Sequence, residues 1–247
     1  MSVKPLSLRF QLGDGETETA TLNVHNRGQQ PTKVTLRPAD WWRTPEGNLQ
    51  ILPPGTRDKS SADWLIFSPA EFELGPDERI EVDVEAAAPE EIDGDHWSMV
   101  LVTEEPVNPE ESSGMQISVG YAVKILIEDT NKEARDAKIT NIKVQNKDPL
   151  EVVITFENTG KSYIKTTGMV EVRNLQGETE REFEIKEFPT LPGEEHKITI
   201  NETEEEDLSP GQYYIIAQMD FGGEHLIQGG IPFEVEQSRT NDKGASQ

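Results

Sequence analysis

The residues able to do chemistry are few in kind and crowded in number. The 247-residue chain holds 47 Asp and Glu, 23 Lys and Arg, four His and no Cys. Without Cys there is no disulfide, thiolate metal site or thiol nucleophile. His25, His96, His196 and His225 are scattered, and none stands in a metal-binding spacing such as His-Glu-x-x-His. One short acidic turn, Asp93-Gly94-Asp95-His96, has hard-cation ligand types. It lacks the further ligands of a calcium loop and reads as a solvated turn. No Gly-x-Ser-x-Gly elbow, phosphate-binding loop or dinucleotide fingerprint occurs. Carboxylate pairs are so abundant that none is singled out for acid/base work. The reading is non-enzymatic, with no catalytic residue, no metal and no cofactor.

The adjacent Trp41 and Trp42 are the other feature with binding chemistry. On a strand their side chains point to opposite faces. One reading exposes an aromatic to a sugar or protein partner. The other puts one Trp in the core and covers its neighbour with a loop. Trp64, Phe67, Phe72 and Trp97 read as core.

The formal net charge of −24 excludes two partner classes. Nucleic-acid binding needs clustered cations to displace counterions, and an anionic membrane surface repels this chain. The acids run through Glu71 to Glu91, Glu104 to Glu111, Glu178 to Glu187 and Glu202 to Asp207. That even spread reads as halophilic adaptation, with a surface that steers basic partners as the alternative. No apolar run is long enough to span a bilayer. The N-terminal MSVKPLSLRF has no signal-peptide hydrophobic region.

The elements that must position these residues are strands. Ile80, Val82 and Val84 alternate with Glu81, Asp83 and Glu85, and Ala20, Leu22 and Val24 with Thr19, Thr21 and Asn23. Ile117, Val119, Tyr121, Val123 and Ile125 share one face of a long strand, Gln116 to Ile127. Period two with Gly- and Pro-bearing turns between runs predicts antiparallel sheets. The order of features also repeats. LNVHNRG (22–28) matches ITFENTG (154–160), ELGPDERIEVDV (73–84) matches TLPGEEHKITIN (190–201), and IDGDHWSMVLV (92–102) matches LSPGQYYIIAQ (208–218). The fold expected is all-β, two tandem immunoglobulin-like β-sandwich domains. Their expected spans are 1–130 and 131–236, followed by a disordered tail, 237–247.

The first half resembles the N-terminal domain of PapD-like periplasmic pilus chaperones. The residues carrying this are SLRF with Arg9, TLNVHNRG, PADWWRTPEG, WLIFSPAEFELGPDERIEVDV and QISVGYAVKILI with Lys124. The second half resembles immunoglobulin-like modules of bacterial surface proteins, and the layout is also similar to that of WxL-interacting surface proteins. The chaperone resemblance implies donation of a long strand to the open groove of a pilus or surface-structure subunit. It implies Arg9 and Lys124 as anchors for that subunit's terminal carboxylate, and Val119, Tyr121, Val123 and Ile125 as donor residues. Read without the resemblance, Arg9 and Lys124 are surface charges and the strand an ordinary internal one. The expected function is a protein-binding envelope protein, periplasmic or at the cell surface. A structural or adhesive module that binds cell-wall polysaccharide is the alternative.

Overall fold

The computed structural model describes residues 1–107, 120–130, 135–147, 149–202 and 208–236. Among them every regular element is a β-strand except one 3-10 turn at Ala62–Trp64. The expected tail, 237–247, and Val119 lie outside the described residues. The chain divides into two compact units, Met1–Thr44 with Asn48–Ala134, and Pro45–Gly47 with Arg135–Gln247. Each unit is a sandwich of two sheets around its own apolar core, which is the all-β fold read from the period-two pattern.

The first unit contains β1 (Ser2–Lys4), β2 (Ser7–Leu12), β3 (Thr17–His25), β4 (Thr32–Arg43), β5 (Leu49–Leu52), β6 (Leu65–Ser68), β7 (Glu71–Leu74), β8 (Arg79–Ala87), β9 (His96–Pro106) and β10 (Gly120–Asp129). One sheet has the order β1-β3-β8-β6, the other β2-β10-β9-β4-β5, with β7 also on β4. Alternation drives the packing. Leu22, Val24, Val82 and Val84 face inward from the first sheet; Phe10, Val34, Val100, Val123 and Ile125 meet them from the second. Burial of each such side chain contributes about 1.5–3 kcal/mol.

The opening segment serves both sheets. β1 pairs antiparallel with β3, Val3 opposite Val24. Pro5, which has no N–H to give a ladder, interrupts the strand. The chain resumes as β2 and pairs parallel with β10, from Ser7 opposite Lys124 to Leu12 opposite Asp129.

The second unit contains β11 (Ala137–Lys147), β12 (Leu150–Asn158), β13 (Ile164–Asn174), β14 (Thr179–Thr190), β15 (Glu195–Asn201), β16 (Gly211–Asp220) and β17 (Ile227–Val235). Its sheets are β11-β12-β15 and β14-β13-β16-β17, closing over Val152, Ile154, Phe156, Val170, Val172, Ile215 and Met219.

The sequence repeat has a physical core: one buried Asn in each unit. Asn26, at 2% exposure, donates its amide to the carbonyls of Gln30 (2.8 Å), Leu74 (3.1 Å) and Gly75 (3.0 Å), and accepts from Gly28 N–H at 2.8 Å. Asn158, fully buried, donates to the Ser162 (2.9 Å) and Thr190 (3.2 Å) carbonyls and accepts from Gly160 N–H at 3.1 Å. A Glu closes each facing turn. Glu78 accepts from Gly75 N–H and Glu194 from Leu191 N–H. The turns each place a residue at positive φ, Asp77 in one and Gly193 in the other.

Candidate functional site

The candidate site lies on the outward face of the β2-β10-β9-β4-β5 sheet. β10 pairs with β9 along Gly120–Ile127, but with β2 only from Lys124 onward. The Lys124 N–H donates to the Leu6 carbonyl at 3.1 Å. Main-chain groups two residues apart point the same way along a strand, so those of Gly120 and Ala122 turn toward the side that β2 occupies further on. Among the described residues, no strand pairs with Gly120–Val123 on that side. An uncovered strand edge is a template for a further strand.

Parallel partners share a face, and Arg9 stands opposite Leu126, two residues along β10 from Lys124. Arg9 and Lys124 therefore project from the same face of neighbouring strands. The Arg9 guanidinium donates to Glu128 Oε1 at 2.7 Å, and its side chain is half exposed. The Lys124 ammonium lies 4.9 Å from the centre of the Trp41 ring. Arg37 on β4 is opposite Leu101, and Arg43 lies over the same Trp41 ring at 5.3 Å. The other sheet carries a row of acids. There Glu81, Asp83 and Glu85 line β8 beside Asn23, Thr21 and Thr19. Arg9 and Lys124 thus stand on neighbouring strands, Arg37 and Arg43 on β4 beyond β9, and Glu128 beside Arg9.

The expected donor residues fare differently from one another. Val123 and Ile125 are fully buried in the unit's own core. At these two positions the apolar stripe is turned inward between the sheets. Tyr121 is part-buried against the same core, and its hydroxyl donates to the Met1 carbonyl at 2.5 Å. What β10 offers outward near these residues is backbone, not the alternating apolar side chains.

Trp41 and Trp42 are not an exposed aromatic platform. Trp41 is 4% exposed and donates its Nε1–H to the Ser98 carbonyl at 2.8 Å. Trp42 is half-buried, stacked on Trp97 at 6.0 Å and covered by the loop residue Arg57 at 3.9 Å. Below them, Asp40 accepts from Arg57 N–H and Ser60 Oγ, and the fully buried Ser61 and Ser98 hydroxyls pair at 2.8 Å. Sequence reasoning missed this scaffold, because its members lie on three separated segments.

In the Asp93–His96 turn only Asp93 is exposed; Gly94, Asp95 and His96 are buried. Asp95 accepts from Asp129 N–H at 2.9 Å, Asp129 accepts from Gly94 N–H at 3.1 Å, and Lys59 bonds Asp93. Its carboxylates hold the end of β10 to the start of β9. His96 is 8% exposed and tilts against Trp64 at 4.4 Å. Burial pushes its pKa below the ordinary value, and the nearby Lys59 charge adds to this against the hydrogen bond to the Gly94 carbonyl. Among the described residues no three His, Cys, Asp or Glu side chains gather as a metal site, and no helix is long and apolar enough to cross a membrane.

No protein-family model and no curated protein sequence matches the chain. Solved structures do. A chain from a chaperone–tip adhesin complex of CFA/I fimbriae biogenesis matches with a TM-score of 0.51 and 12% identity, covering 94% of this chain and 97% of that one. The class 5 fimbriae chaperone CfaA matches with a TM-score of 0.50 and 9% identity, again over 94% and 97%. At such identities the likeness is one of fold: this chain has the two-domain β-sandwich fold of the PapD-like pilus chaperones.

Proposed function

We propose that the chain is a non-enzymatic, chaperone-like carrier of the cell envelope. It binds a protein subunit of a pilus or surface structure by pairing a strand of that subunit against the free side of β10. The observation that carries this reading is the edge at Gly120–Val123, unpaired among the described residues and flanked by Arg9 and Lys124. Main-chain pairing supplies affinity in such an exchange. The two cations suit a carboxylate at the end of the incoming strand, since charge-assisted bonds to a carboxylate are the strong ones. The full-length fold likeness to structures described as a fimbrial chaperone and a chaperone–tip adhesin complex supports the same role. The polysaccharide-binding alternative loses its motivating feature, since Trp41 is buried and Trp42 is covered.

A photo-crosslinking residue placed at Ala122 in the native cell tests the proposal, with the same residue at Thr21, on the opposite sheet, as control. The expected result is a single strand-rich protein joined at position 122 through its terminal strand, with the yield reduced in an Arg9→Ala/Lys124→Ala background. Equal labelling from positions 122 and 21 would sink it.

A further inference from the structure

Trp41 is buried yet tied to two cations of this sheet, one of them Lys124. Its indole is pinned by the 2.8 Å bond from Nε1–H to the Ser98 carbonyl. Two cations lie over the ring, the Lys124 ammonium at 4.9 Å and the Arg43 guanidinium at 5.3 Å. They come from different strands, β10 and β4, so one ring ties together side chains of two strands. Across the β4–β5 ladder, Ile51 stands opposite Trp41 and Leu49 opposite Arg43, and both are about half exposed.

We infer that Trp41 is a positioning residue of the carboxylate site, fixing Lys124 and enlisting Arg43 as a third cation beside Arg9. The inference rests on the carboxylate-anchoring role proposed above and goes beyond it. A lysine stem has rotamer freedom that a ligand must freeze on binding. Resting on a ring face, the ammonium is held beforehand. An indole attracts a cation through its quadrupole and brings no negative charge of its own. Arg43 adds a planar pair of N–H donors suited to two carboxylate oxygens. The ligand class is the free α-carboxylate of a polypeptide.

The full chain, reductively methylated with 13C-formaldehyde, gives one NMR signal per dimethyl-lysine, each still charged. Lys124→Arg assigns the Lys124 signal. The probe is N-acetyl-dialanine as free acid, with its amide as control. In the wild type the Lys124 signal is expected upfield, from its place over the ring, and is expected to move with the acid and not with the amide. Trp41→Leu is expected to weaken acid binding about fivefold to tenfold and Trp41→Phe to recover most of that, as a ring-face interaction requires. Arg43→Gln is expected to weaken it several-fold; this variant decides the matter if Trp41→Leu fails to fold by circular dichroism. Affinity in Trp41→Leu or, in that case, Arg43→Gln within twofold of the wild type would overturn the inference while leaving the anchor intact. A Lys124 signal that ignores the free acid in the wild type would overturn the anchor itself, and this inference with it.

Discussion

Replacing Asn26 by Ala removes the amide that ties the end of β3 to the turn before β8. The side chain is 2% exposed and makes four hydrogen bonds. The bond to the Leu74 carbonyl is fully buried, so losing it leaves an acceptor out of reach of water, at about 1–3 kcal/mol. The bonds to Gln30, Gly75 and Gly28 are only partly buried, and each contributes about 0.5–1 kcal/mol net. Part of that sum returns because the freed groups reach solvent, and the expected loss is about 3 kcal/mol. All four Trp residues lie in the first unit, so urea unfolding followed by Trp emission reads this unit directly. With a urea dependence of about 1.5 kcal/mol per molar, the midpoint falls by about 2 M. Asn26→Asp is the sharper variant. It keeps the acceptor for Gly28 N–H but aims a carboxylate oxygen at three carbonyls, so at pH 7 it is expected to lose at least as much as Ala. A loss below about 1 kcal/mol in Asn26→Ala, or an Asp variant as stable as the wild type, would refute the reasoning.

His96 titrates below its ordinary pKa because it is buried, so the unfolded chain binds its proton first. Its contribution is complete above about pH 6.5 and is lost as pH falls from there through the depressed folded pKa. The drop in urea midpoint between pH 7.5 and pH 5 is expected to be smaller in His96→Phe than in the wild type. Thr166 is fully buried with a hydroxyl that has no partner among the described residues; Thr166→Val is expected to leave stability unchanged or raise it by up to about 1 kcal/mol, measured by far-UV circular dichroism in urea. Gly168 on β13 leaves no room for a side chain, since a Cβ there would stand 2.5 Å from the Gln218 carbonyl; Gly168→Ala is expected to cost about 2 kcal/mol or more in the same assay. With a net charge of −24, the melting temperature is expected to rise between 20 mM and 1 M NaCl as screening relieves self-repulsion, and a flat calorimetric response would argue against repulsion as a limiting term.

The strands were legible where one face is wet. β8 alternates Ile80, Val82 and Val84 with Glu81, Asp83 and Glu85, and the structure buries Val82 and Val84, half-buries Ile80, and exposes or half-exposes the acids. The turns were legible where Gly is needed: Gly15, Gly47, Gly55, Gly177, Gly193 and Gly222 all adopt positive φ. β10 shows where the reading stops. Its alternation runs unbroken from Tyr121 to Ile125, yet the side chains that look alike in sequence split between a strand half covered by β2 and a half that is not. That split is set by where β2 begins, more than a hundred residues away, and no local pattern encodes it. The Asn-x-Gly pairs were readable as turns, but their buried partners, Leu74 and Thr190, were not. Trp41 and Trp42 could be sorted into covered positions; the cations over Trp41 come from a strand outside its sequence neighbourhood and from its own strand end. The Asp93–His96 turn read as solvated because its partner, Asp129, ends a distant strand.

The pairing of Ser7–Leu12 with Lys124–Asp129 has a consequence for the order of events as the chain is made. The first unit cannot complete its second sheet until β10 exists, because among the described residues β2 has only β10 as a ladder partner. During synthesis β2 must stay unpaired while about a hundred further residues emerge, with Phe10 and Leu12 lacking their final neighbours. Folding of this unit is therefore closed by its two ends meeting. A chain cut short anywhere before β10 leaves that sheet open, while β1, β3 and β8 can already be in place.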